Sequence, residues 1–312
     1  MRLTKLFALG ALTAFLAACG GGSSQAVSPG PTSTGATSTG AKVPSPAERA
    51  QLFAYDESAP LGLKIKKTSK RVGAEVDDVV FDAAGRKVTA YLVRPRSKPR
   101  AAVLWAHWFA EEANANRTEF LPDALALARD GVISLLPQEF FPWTEPLTGK
   151  VDTDWQLAID QVVQLRRALD VLAVQGGERL PVGFVGHDYG AMFGSLLIAD
   201  GRPKAYVLMA PDATFANWFV KYFVRGASAT EYQGAFAPLD PVNVVGEAAP
   251  ASVFFQFAKS DRYVPGYIAD KLSEAASDPK KAESYEGGHE LDEAARRDRL
   301  AWLRTELGLS GS

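Results

Sequence analysis

Among its 312 residues this chain has one cysteine, three histidines and three methionines. A single cysteine excludes an intrachain disulfide, and no spacing typical of metal ligands is present. Neither sign of charge dominates: 34 Lys and Arg stand against 36 Asp and Glu, a formal net charge of −2. That balance gives no footprint for a nucleic-acid partner. There is no glycine-rich phosphate loop and no internal repeat, and no cofactor is called for. Long apolar runs are scarce too; the one at residues 6–16 is too short to anchor stably across a bilayer. What remains is an ordinary globular balance, 47% hydrophobic and 22% charged, in a chain long enough for one large α/β domain.

The early apolar run reads as part of an export signal. Arg2 and Lys5 precede it, and it ends in Leu16-Ala17-Ala18-Cys19, which resembles the lipobox of bacterial lipoproteins. That resemblance implies cleavage of residues 1–18 and a lipid on Cys19; a plain secretory signal is the other reading. Gly20 follows the cysteine, so no Asp signals retention at the inner membrane. The expectation is an exported protein held on the outer membrane or cell surface by its acyl chains. Residues 19–46 are mostly Gly, Ser, Thr, Pro and Ala, a flexible tether with too little apolar surface to fold. Residues 47–312 form the expected folded domain.

Within that domain, alternating β-branched runs at 76–81 and 87–94 flank a glycine-containing turn and predict a hairpin. Continuous apolar runs then alternate with helical periodicity. Strands are expected at 101–106, 132–136, 182–186, 205–210, 252–258 and 281–285. Helices are expected at 46–55, 118–129, 154–174, after Gly190, at 266–276 and at 291–307. Strand–helix alternation implies right-handed crossovers and a mostly parallel sheet flanked by helices. Residues 212–249 break the pattern: they are aromatic-rich, with Trp218, Tyr222 and Tyr232 among them, and read as a short lid.

The stretch Val182-Gly183-Phe184-Val185-Gly186-His187-Asp188-Tyr189-Gly190-Ala191 organises the chemistry. A buried strand stops at Gly186, a helix starts after Gly190, and one carboxylate sits between the two glycines. Such spacing suits a tight strand-to-helix turn whose central residue is strained and whose glycines let backbones pass closely. This resembles the nucleophile elbow of the α/β-hydrolase family, with Asp188 where most members have Ser or Cys. Asp at that point looks like the epoxide-hydrolase and dehalogenase branches, while the domain as a whole is closest to dienelactone-hydrolase-like members. The resemblance runs from Val76 to the C-terminus. A glycine-flanked Asp that merely caps a helix is the plainer reading.

Ligands of parallel sheets bind beyond the carboxyl ends of the strands. His289, in Gly287-Gly288-His289-Glu290, lies where the family places its base, and Asp261 lies where it places the acid. Asp212 is the reserve acid. The family resemblance implies oxyanion or leaving-group donors at Tyr189 N–H and in the loop His107-Trp108-Phe109, where Trp108 replaces a usual glycine. His107 and His187 are read as structural. Glu139 ends another strand and is a candidate for the pocket, together with His107, Trp218, Tyr222 and Tyr232.

An Asp nucleophile bears on the reaction. Attack on a carbonyl would give a mixed anhydride, whereas attack on an sp³ carbon gives an alkyl ester that water can cleave. The favoured expectation is hydrolysis of an epoxide or carbon–halogen bond in a small organic substrate. Carboxylic-ester hydrolysis, or a non-catalytic binding lipoprotein on a hydrolase scaffold, are the alternatives.

Overall fold

The computed structural model describes residues 43–109, 116–224 and 229–309. The predicted signal and most of the tether, with Cys19, lie outside the described residues. Among the described residues nine strands run in chain order: β1 Lys64–Arg71, β2 Ala74–Ala83, β3 Arg86–Pro95, β4 Ala101–Ala106, β5 Val132–Pro137, β6 Val182–His187, β7 Pro203–Met209, β8 Ser252–Ala258 and β9 Lys280–Tyr285. They join one sheet in the order β1-β2-β3-β5-β4-β6-β7-β8-β9. Pairing is antiparallel from β1 through β3 to β5, and parallel from there to β9.

The eight helices are α1 Pro46–Leu52, α2 Leu121–Ala128, α3 Val151–Gly176, α4 Tyr189–Ser195, α5 Phe215–Trp218, α6 Ala229–Phe236, α7 Gly266–Ala275 and α8 Glu293–Glu306, counted among the described residues. Successive strand residues point to opposite faces, and the sequence supplies apolar side chains to both. Along β4, Ala102, Leu104 and Ala106 join the core beneath α3 and α4, while Ala101, Val103 and Trp105 join the one beneath α2 and α8. A strand covered on both sides reads as a continuous apolar run.

The predicted strands and helices are present, with ends moved by a few residues. β1 was not foreseen. Its sequence, Lys-Ile-Lys-Lys-Thr-Ser-Lys-Arg, is largely exposed and pairs only with β2. A lysine-rich edge of this kind resists pairing with other chains, and it carries no apolar signal.

Topology places the site. From β4 the chain passes to β5 on one side, then returns through α3 to β6 on the other. The order of the strands therefore reverses beside β4, which opens a crevice at their carboxyl ends. Ala106 pairs with Gly186, so β4 and β6 end level with each other. The loop after β4 and the turn after β6 consequently face one another.

Candidate active site

Asp188 occupies the turn between β6 and α4 with φ 60° and ψ −124°. For a residue with a Cβ this is strained backbone, and it persists only where surroundings impose it. Here the glycines do so. A Cβ on Gly190 would lie 2.4 Å from the Ala106 carbonyl oxygen, and one on Gly186 would lie 2.6 Å from that of Gly190. Neither contact is possible for a larger residue, so helix and strands close tightly around the turn. Asp188 N–H is held by Met209 O at 2.9 Å, and the carboxylate emerges above the sheet.

Three loops bring partners to it. His289 follows β9, and its Nδ1 donates to Asp261 Oδ2 at 2.8 Å. Asp261 Oδ1 accepts from the N–H groups of Tyr263 (2.8 Å) and Val264 (3.1 Å). Burial opposes the charge on Asp261, but the His289 bond and these amides hold its carboxyl below the usual carboxylate range. With Nδ1 so engaged, His289 turns Nε2 toward Asp188 Oδ2, 3.9 Å away. That distance is a charge contact rather than a hydrogen bond. Burial alone would lower the basicity of His289; the carboxylates of Asp188 and Asp261 outweigh it and raise its pKa to about 9. Phe109 N–H, from the loop after β4, donates to Asp188 Oδ2 at 2.9 Å.

Behind these groups the loops are tied together. Trp108 N–H donates to Glu119 Oε2 at 2.7 Å, so it is directed away from the Asp188 carboxylate. This corrects the expectation of Trp108 as an oxyanion donor, although its ring lines the cavity. Glu119 Oε1 lies 2.6 Å from His187 Nδ1, and His187 Nε2 lies 2.9 Å from the His289 carbonyl oxygen. His107 is buried, accepts the Glu139 N–H at Nε2 (3.0 Å) and meets the Trp108 carbonyl through Nδ1 (2.9 Å). Burial lowers its pKa to about 3, so it stays neutral.

The cavity above Asp188 holds about 670 Å³ and is walled by aromatic rings: Trp108, Phe109, Tyr189, Trp218, Tyr222, Phe223 and Tyr263. Trp218 and Tyr222 are therefore where the sequence put them. Three other expectations fail. Tyr232 points into the protein, fully buried, with its hydroxyl on Asp154. Glu139 and His107 lie beneath the loops, outside the cavity. Among the described residues Glu139 has no partner for either carboxylate oxygen, and burial pushes its pKa well up. Asp212 accepts from Thr214 N–H and Asn217 Nδ2, while His289 turns to Asp261 instead.

Sequence reasoning missed Tyr263 and Arg262 in the cavity wall and Glu119 behind it. Tyr263 and Arg262 adjoin Asp261 and were within reach of the motif. Glu119 had no signal, because its partners come from residues 108 and 187.

No family model matches the chain, and neither does any curated protein. Solved structures do. An acetyl xylan esterase from Paenibacillus sp. R4 superposes with a TM-score of 0.66 at 14% identity, over 83% of this chain and 92% of the other. Acetyl xylan esterase 1 from Thermoanaerobacterium sp. JW/SL YS485 gives 0.64 at 15% identity, over 88% and 96%. A cold-adapted esterase from an Arctic intertidal metagenomic library gives 0.56 at 16%, over 77% and 97%. Sheet order, elbow and these likenesses together define the α/β-hydrolase fold.

Proposed function

We propose that the protein is a hydrolase acting through Asp188, His289 and Asp261 on an epoxide or carbon–halogen bond of a small organic substrate. The observation that carries this reading is the bond from Phe109 N–H to Asp188 Oδ2. In acyl chemistry that donor must be open to the substrate's carbonyl oxygen. Here the carboxylate's own oxygen occupies it, leaving Oδ1 to attack. Oδ1 displaces halide, which leaves as the anion while His289 gives its proton to solvent, or opens an epoxide, whose alkoxide takes the proton from His289; either way an alkyl ester forms on Asp188 and His289 is left neutral. His289 then takes a proton from water, and the resulting hydroxide adds to Asp188 Cγ. Negative charge develops on Oδ2, already at its donor, and collapse expels the product alcohol with the proton from His289.

The order of events follows from charge. Before attack, ionised Asp188 helps keep His289 protonated. Esterification removes that negative charge, so His289 becomes a free base when water must be activated.

Replacing His289 by Gln keeps the volume and removes the base. A substrate should then accumulate as a stoichiometric adduct on the 186–190 peptide, read by intact mass and mapping, and Asp188→Asn should carry none. An active wild type whose His289→Gln variant never holds an adduct, across epoxides and haloalkanes, would falsify this mechanism. Ester hydrolysis is the second reading, because the similar structures are esterases; it predicts ester turnover without an adduct. We also propose anchoring through lipid on Cys19, with the membrane as its partner. Metabolic labelling with a fatty-acid analogue should be lost in Cys19→Ser.

A further inference from the structure

His187 is almost fully buried, and both of its ring nitrogens face oxygen: Glu119 Oε1 at 2.6 Å and the His289 carbonyl at 2.9 Å. A carbonyl oxygen can only accept, and so can an ionised carboxylate. A neutral ring would set its one lone pair against such an oxygen at hydrogen-bond distance. The arrangement is satisfied in two ways: an imidazolium paired with a carboxylate, or a neutral ring receiving a proton from Glu119. Two neighbours favour a charged ring and one opposes it, the protonated His289 ring with its centroid 5.1 Å away. Trp108 stacks over it at 5.2 Å and 14°, a favourable placement for a cation, and Trp108 N–H donates to Glu119 Oε2, as suits an anion.

We infer that buried His187 and part-buried Glu119 form an imidazolium–carboxylate pair that positions both the Trp108–Phe109 loop and the His289 loop for the reaction. One end of the pair holds Trp108, next to the donor Phe109. The other holds the backbone of His289. Removing Glu119 leaves the His187 charge buried and uncompensated, whereas Glu119 reaches solvent. The pair touches no reacting atom, so these are positioning residues. That role rests on the proposed hydrolase reading; the protonation state does not.

With three histidines in the chain, nitrogen NMR on the full-length protein labelled with ¹⁵N-histidine resolves the state of each. The signals that vanish in His187→Gln identify His187. At neutral pH both of its nitrogens should be protonated, and in Glu119→Gln one should lose its proton. An unprotonated nitrogen on His187 in the wild type overturns the inference, and that spectrum needs no variant beyond the assignment. Turnover of the Asp188 ester gives the second arm. Glu119→Gln should lower kcat by roughly 10- to 100-fold with KM little changed, since misplacement of catalytic groups acts on the transition state. Full kcat in a variant whose His187 has become neutral overturns the positioning role. Loss of the alkyl-ester reading with a doubly protonated His187 overturns the proposed substrate and leaves the pair standing.

Discussion

Phe109 N–H reaches Asp188 Oδ2 at 2.9 Å, so the carboxylate proposed as nucleophile fills the place a substrate carbonyl would need. Asp188→Ser removes that oxygen and opens the donor, with His289 and Asp261 still in line. The variant should lose epoxide and haloalkane turnover and gain hydrolysis of a short activated ester. Parallel assays on both substrate types check this, and greater ester turnover by the wild type would count against it.

In the folded chain His289 titrates at about 9, above its ordinary 6.5. The folded state therefore holds this proton more tightly than the unfolded one. Its stabilising contribution is complete below pH 6.5 and is lost as pH rises through about 9. Asp188→Asn removes one of the two carboxylates, so the His289 pKa should fall and the alkaline loss should begin earlier. Histidine NMR titration and urea melts across that window measure both effects.

Asp261→Asn presents an amide N–H₂ to His289 Nδ1 once its oxygen accepts from Tyr263 and Val264. The imidazole then holds its proton on Nε2 and cannot act as base. In another hydrolase triad a comparable change lowers kcat by roughly 10⁴-fold, and a loss of similar order is expected in hydrolysis of the Asp188 ester. Asp212→Asn, which disturbs only bonds to Thr214 and Asn217, should leave the ester-hydrolysis rate within a few-fold.

Tyr232→Phe tests the reassignment of that tyrosine. Its hydroxyl meets Asp154, whose carboxylate also binds Thr148 and the Gly149 N–H. Losing one donor to a buried carboxylate should cost about 1–3 kcal/mol of stability. Turnover should be unchanged, since the ring lies outside the cavity. Denaturant melts and kinetics on one preparation separate the two.

The parallel strands and the elbow were legible because each has a local cause. Apolar runs such as 101–106 suit a strand buried on both faces, and Gly186 and Gly190 mark where backbones meet. The reach from Asp188 to His289 followed from the strand ends together with the family resemblance. The lid was less legible. Phe215, Phe219, Tyr232 and Phe236 make its packed interior, whereas Trp218, Tyr222 and Phe223 face the cavity. All are aromatic, and what separates them is the partner each meets, such as Asp154 for Tyr232. β1 was invisible for the opposite reason, since an edge strand in water needs no apolar pattern.

The crowding around Gly186 and Gly190 bears on how such a site diversifies. Residue 188 is aimed by its neighbours, through a backbone that closes over two missing side chains. The aim therefore does not depend on which reactive group sits there. Under the proposed mechanism, a single codon change at 188 would trade one reaction class for another at a fixed point in space. Shifting the point itself would require the ends of β4, β6 and α4 to change together. Chemistry at this position is free to drift, and its address is not.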